Sequence, residues 1–374
     1  MQKNLLQKHF PLLRSLEEVK SIIQQNPVLH NEFQRWKPVQ QQEFLDFCTG
    51  ERGVKILYDS FFKEIFNPEY APQRLEEFLS AIMNQSVKIL KVLPNDSTRI
   101  SDETSLLITD IIVELEDHSI ANVEIQKWGY LFPGQRSACY AADMLLRQYK
   151  RLRDELKKKF TYHRLQNVYS IILFEHSTKE FHAFPDHHLH YFSQKSDTGL
   201  ELSLLQQYYF IPLDIFYKNI HNKGIKTNLD AWLTFLTTDD PEMILNLIRD
   251  FPEFENMYKD IYEFCRNIEG VMDMFSKELL ELDRNTVKYM IDEMQNELLD
   301  RKQELDDTKQ ELDDTKHELD DTKQELDDAK QELDDAKLQL ALTTLLIHDD
   351  RTDDLKKALS DIAFRKKLYN EYSL

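Results

Sequence analysis

The sequence predicts an α/β domain, then a purely helical region, then an acidic helical tail. Three observations carry this. Strand-like runs at 87–93, 106–116 and 120–128 follow a pair of short helices, and a long helix over 135–160 leads into further apolar strands at 168–174 and 208–213. That order of helix, strands, long helix and strand is the order of an α/β layer. From about 228 to 300 the apolar spacing is helical throughout, and five near-identical seven-residue repeats then run from Gln303 to Lys337.

Taken in order, residues 1–50 read as amphipathic helices, marked by Leu5, Phe10, Leu12, Leu13, Leu16, Val19 and Ile22, and form an N-terminal extension. A short helix over 58–66 stops at Asn67-Pro68, and Pro72 opens another through Leu75, Phe78, Leu79, Ile82 and Met83. The first strand ends at Pro94-Asn95-Asp96. The second and third are separated by Asp117-His118-Ser119 and form a hairpin. Pro133-Gly134 precedes the long helix. Past residue 228, Leu229, Trp232, Leu233 and Leu236 share one helical face, and a further helix starts after Pro241. The expected units are 1–50, an α/β domain over 51–225, a helical region over 226–302, an acidic heptad coiled coil over 303–340 and a last helix within 341–374.

The formal net charge is −20, but each repeat has one Glu, two Asp and one Lys, so the five contribute −10 and the rest is only mildly acidic. A local basic surface remains compatible with that balance. The repeat puts Leu305, Leu312, Leu319, Leu326 and Leu333 at one core position and Thr308, Thr315, Thr322, Ala329 and Ala336 at the other. That is a weak seam, suited to a spacer or to a homo-oligomer through residues 303–337. Three scattered cysteines imply no disulfide framework and fit a reducing compartment, and Cys139 reads as packing. No secretory leader and no membrane-length apolar run stand out, so the expected location is the cytoplasm with no membrane partner. With 7 glycines in 374 residues, and neither GxGxxG nor GxxxxGK[ST], phosphate-cradling nucleotide loops are excluded. GxSxG is also absent.

The informative segment is Ile108-Thr109-Asp110-Ile111-Ile112 with Asn122-Val123-Glu124-Ile125-Gln126-Lys127. An Asp inside an apolar strand is costly to bury without a partner. Glu124 and Gln126 are two residues apart on a strand and point to one face, whereas Lys127 has the opposite parity. Asp110 shares that face only if facing residues of the hairpin have an even number sum, which requires an odd-length connection or a bulge. Two converging carboxylates and a main-chain carbonyl suit a hard cation such as Mg²⁺ or Mn²⁺. Glu114 and Glu116, nearer the hairpin tip, read as surface charges.

These residues resemble the PD-(D/E)XK nuclease superfamily, and within it the recombination-promoting nuclease and transposase branch. The resemblance rests on Asp59-x-x-Phe62-Lys63-x-x-Phe66, Asp110, Glu124-Ile125-Gln126, Arg136-x-x-x-Tyr140 and Trp232-Leu233-x-Phe235-Leu236, over roughly residues 50–300. It implies a mixed central sheet flanked by helices, and a Mg²⁺- or Mn²⁺-dependent DNA endonuclease linked to recombination or mobile DNA. Asp110 and Glu124 would be metal ligands, with Ile125 lending its carbonyl. Gln126 would stand where the superfamily has lysine, offering a dipole in place of a charge. Lys63 is a candidate source of the missing charge, and Asp59 either joins the site or caps its helix.

Arg136, Tyr140, Arg147, Lys150 and Arg151 on the long helix are candidates for DNA phosphates, although cations near a helix C-terminus are favourable through the dipole alone. His182, His187, His188 and His190 read as a polar strand edge in preference to a zinc site. Two rival readings stay open: a catalytically silent DNA-binding or scaffold protein, and an interaction protein built around the acidic tail.

Overall fold

A computed structural model describes residues 3–93, 111–129 and 133–374. The chain divides into two compact units, Met1–Glu293 and Met294–Leu374.

The first unit opens with α1 (Leu5–His9), α2 (Leu16–Gln25), α3 (Pro27–Arg35) and α4 (Pro38–Thr49). Local chemistry sets their ends. Ser15 and Glu18 form a reciprocal capping box at the start of α2, and Gly50 closes α4 at φ 72°, a conformation that only glycine adopts without cost. Next come α5 (Asp59–Ile65) and α6 (Pro72–Met83), strands β1 (Ile89–Val92), β2 (Ile111–Leu115) and β3 (Ile120–Trp128), and the long helix α7 (Pro133–Leu156). Strand β4 (Val168–His176), helix α8 (Lys179–His182), and strands β5 (His190–Ser193) and β6 (Gln206–Pro212) complete the sheet. Helices α9 (Leu213–Lys223), α10 (Asn228–Thr237), α11 (Pro241–Asp250) and α12 (Phe254–Phe264) follow, then α13 (Ile268–His348), α14 (Thr352–Ser360) and α15 (Ile362–Tyr372).

The described strands form one mixed sheet in the order β1-β2-β3-β4-β6-β5. The central strands β3, β4 and β6 are parallel to one another, and the outer pairs are antiparallel. The β2–β3 ladder pairs Ile111 with Val123 and Glu114 with Ile120, a constant sum of 234. The sum is even, as the sequence required for Asp110 and Glu124 to share a face; Asp110 itself lies outside the described residues. The connection is odd in length: Leu115 N–H donates to Ser119 O at 2.9 Å across Glu116-Asp117-His118, with His118 at φ 64°. A three-residue loop closed by a left-handed residue is a common hairpin solution.

Alternation then assigns two faces. Odd-numbered β3 residues, Ala121, Val123 and Ile125, join Val113, Ile171, Leu173 and Ile211 in the main core. That core also contains Leu6, Phe10 and Leu13, so the N-terminal helices are packed into it. The Trp232-Leu233-x-Phe235-Leu236 face of α10 is fully buried there, with the Trp232 ring 5.5 Å from Phe66 and 5.6 Å from Phe78. Even-numbered residues face α7, where Ala141 and Met144 pack on Ile112, Ile120 and Val168. In the second unit, the end of α13 packs on α14 and α15 through Leu342, Leu346, Ala358 and Leu368. Among the described residues, no helix is long and apolar enough to cross a membrane.

Candidate active site

Under α7, the even face of β3 is polar where its surroundings are apolar. Asn122, Glu124 and Gln126 follow one another there, each under 5% exposed. The parallel register sets Asn122 beside Ser170 and Glu124 beside Ile172. Gln126 Nε2 donates to Glu124 Oε1 at 2.8 Å. The Arg136 guanidinium, one turn into α7, stands 3.9 Å from the same oxygen and 5.2 Å over the Tyr140 ring. Burial raises the Glu124 carboxyl above the usual carboxylate range, while Arg136 and the Gln126 amide pull it back only in part.

Several oxygens around this carboxylate are unsatisfied. Asn122 Oδ1, Gln126 Oε1, Ser137 Oγ and Ser170 Oγ are buried without a hydrogen-bond partner among the described residues. An orphaned buried oxygen is a cost that native proteins seldom carry unless water, an ion or a ligand completes it. Such atoms beside a raised carboxyl are the kind of perturbation that marks a candidate site. Sequence reasoning named Glu124 and Gln126 but missed Asn122, although its parity and its place in an apolar strand were the available signal.

Lys127 faces the other way. Its ammonium donates to Leu57 O at 2.6 Å, lies 3.0 Å from Glu278 and 3.3 Å from Glu175, and sits 4.8 Å over the Tyr58 ring. Burial opposes its charge, but Glu175 and Glu278 more than offset this and raise its pKa. Lys127 thus lies on the opposite face of β3 from Glu124 and Gln126, as its parity requires. Ile125 points its side chain into the main core. Lys63 is exposed on α5. Asp59 is the first residue of that helix, and its side chain lies outside the described residues.

Glu114 corrects the sequence reading. It is 4% exposed and buried under α7, not on the surface. Arg151 approaches to 2.9 Å, His118 to 2.9 Å and Lys91 to 3.2 Å. Burial alone would raise this carboxyl; His118, Arg151 and Lys91 together bring it below its ordinary value. Arg151 is thus engaged by the sheet, and Arg147 pairs with Asp143 at 2.7 Å. Lys150 remains exposed, as do Lys157, Lys158 and Lys159 just beyond α7. Cys139, expected in packing, is exposed. His182 and His188 pair with Asp214 and Asp230 on different helices, and His190 opens the edge strand β5.

The same face carries a cavity of about 490 Å³ lined by Phe181, Phe192, Tyr208 and Phe210, with Gly134 and Ala138 of α7 at its rim. Register puts Phe210 in one row with Ile172 and Glu124, two strands from the carboxylate. At ~4.8 Å between strands, that is roughly 10 Å.

A search among curated proteins and solved structures returns no match. A family described as the PD-(D/E)XK nuclease family transposase matches residues 56–296, a span that contains the sheet, α7 and the helices up to the first part of α13. The match covers more than half of the chain, and the protein belongs to the PD-(D/E)XK nuclease family of transposases.

Proposed function

We propose that the protein hydrolyses DNA phosphodiesters as a Mg²⁺- or Mn²⁺-dependent endonuclease, within recombination or the movement of mobile DNA. The observation that carries this is the buried Glu124 carboxylate beside the orphaned oxygens of Gln126 and Asn122. All are hard oxygen donors, the ligand type that a hard divalent cation takes. Glu124 would be one ligand, with Asp110 the second and Ile125 lending its carbonyl. When bound, such a cation polarises the phosphodiester and lowers the pKa of the attacking water.

The chain's own groups have separate tasks. Gln126 fixes the rotamer of Glu124 through its amide. Arg136 offsets part of the carboxylate's charge and, with Tyr140 beneath it, is aimed to meet a phosphate once a cation occupies the carboxylate. Lys63 is proposed as the charge that Gln126 does not supply, and Asp59 as an accessory group. Lys150 is exposed for phosphate contact, and Arg147 and Arg151 would join it only by exchanging their present carboxylates. The aromatic cavity suits an unpaired base of the substrate, since base stacking on such rings is tolerant of sequence. The proposed location of the activity is the cytoplasm, in keeping with three cysteines that imply no disulfide framework.

A specific observation favours a second reading. On the described part of β3 the site face has no lysine, because Lys127 is held in the main core. A scaffold that binds DNA without cutting it would keep this geometry. Nicking of supercoiled plasmid in Mg²⁺, in Mn²⁺ and in EDTA, beside Asp110→Ala, separates the two. Metal-dependent nicking lost in the variant supports the nuclease, and retention of DNA without nicking in any metal supports the scaffold.

A further inference from the structure

The second unit contains an apolar stripe that its own chain leaves uncovered. Every seventh residue from Leu298 to Leu340 is leucine, seven in all. Their exposure runs from 54% at Leu305 and Leu319 to 68% at Leu340. Helices α14 and α15 pack on Leu342 and Leu346, not on these leucines. The stripe extends beyond the repeat at both ends, through Leu298 and Leu340.

The column beside it is small. Thr308, Thr315 and Thr322 each donate their hydroxyl to the carbonyl four residues back, on Glu304, Glu311 and Glu318, at 2.6–2.7 Å. With the hydroxyl satisfied inside the helix, what the side chain offers to a neighbour is its methyl. Ala329 and Ala336 continue the column. From Leu305 to Ala336, leucine at a and a small apolar surface at d recur with an average spacing of 3.5 residues, the pattern that supercoils with another helix; Arg301 holds the d position of the heptad before.

The flanking charges say which helix. With leucine at a, position e is lysine six times from Lys302 to Lys337, and position g is glutamate six times from Glu297 to Glu332. We propose that α13 pairs with α13 of a second copy of this chain, as a parallel, in-register, two-stranded coiled coil over residues 298–340. In that arrangement each g residue meets the e residue of the following heptad in the other copy, so Glu304 meets Lys309 and Glu332 meets Lys337. An antiparallel pair would set glutamate against glutamate and lysine against lysine. The existing Lys309–Asp306 ion pair, 3.5 Å long with both side chains mostly exposed, is too weak to compete. The two aspartates of each repeat, at b and c, stay on the solvated side and discourage lateral growth beyond two strands. A parallel pair brings both chains into the coil from one end. Resting on the nuclease reading, it joins two sites for paired cuts; the pairing itself does not depend on that reading.

The test uses the full chain. Light scattering coupled to size exclusion should give the mass of two copies, and a Leu312→Asp, Leu326→Asp double variant should give the mass of one with unchanged helicity. Orientation is read by disulfide trapping in a Cys139→Ser background. Leu305→Cys and Leu333→Cys should each crosslink to itself, since facing a residues approach within disulfide reach. Crosslinking only when the two variants are mixed would show antiparallel strands and overturn the proposal. So would a monomeric wild type, a mass of three or more copies, or a double variant that stays dimeric.

Discussion

Glu124 and Lys127 are three residues apart on β3 and serve opposite sides of the sheet. Glu124 accepts from Gln126 beneath α7, whereas Lys127 is held by Glu278 and Leu57 O in the main core. A lysine so close to the acidic residue invites a catalytic role in a nuclease, and the pleat denies it one.

Lys127→Met therefore acts on stability. It leaves Glu278, 3% exposed, without this ammonium and should cost about 3–5 kcal/mol. Adding Glu278→Gln should recover part of that loss. Chemical denaturation measures both, and plasmid nicking per folded molecule should be unchanged. Loss of nicking with stability intact would return Lys127 to the site.

Glu124 has a pH signature. Burial raises its carboxyl, so the folded chain holds this proton more tightly than the unfolded chain does. Its contribution to stability is full below the ordinary carboxylate pKa and is lost as pH rises through the raised value. A divalent cation must displace the same proton, so Mg²⁺ stabilisation should grow as pH rises through that window. Glu124→Gln should remove this dependence and the Mg²⁺ effect, and should leave the metal-free chain at least as stable at neutral pH, because burial disfavours the carboxylate. Thermal unfolding across pH, with and without Mg²⁺, reads all three.

The cations of α7 and its end divide by partner. Arg151→Ala removes a charge from the buried Glu114 and should lower stability. Replacing exposed Lys157, Lys158 and Lys159 by Gln should weaken DNA binding alone, with the log–log salt slope falling by about 0.9 for each phosphate that is no longer neutralised. Fluorescence anisotropy across a salt series measures it. An unchanged slope would assign these lysines to the helix end only.

The aromatic cavity predicts a substrate preference. Phe192, 51% exposed at its wall, should stack an unpaired base, and Phe192→Ala should weaken binding of single-stranded or flapped DNA by about 1–3 kcal/mol. Duplex binding should change little. Competition binding compares the two, and equal weakening on both substrates would argue against a base in the cavity.

Much of this fold is legible in the chain because its signals are local. The β2–β3 hairpin, the length of α7 and the shared face of Glu124 and Gln126 follow from alternation, turn residues and helical spacing. Tertiary pairing is hidden. Glu114 looks like a tip charge until α7 brings Arg151 to it from 37 positions along the chain, and Cys139 looks like packing until α7 turns it outward. Nor does composition reveal that the first helices enter the main core through Leu6 and Phe10. Asn122 is hinted at only by its parity with Glu124 in an apolar strand, because a lone amide carries no motif; its orphaned oxygen on the same face marks it in the structure.

The most direct test of the central claim is nicking of supercoiled plasmid in Mg²⁺ by the wild type beside Glu124→Gln, with folding of both checked by thermal unfolding. The buried-carboxylate site predicts that the wild type nicks, that EDTA stops it, and that Glu124→Gln is at least as stable yet slower by about 100-fold or more. A folded Glu124→Gln that nicks at the wild-type rate would contradict it.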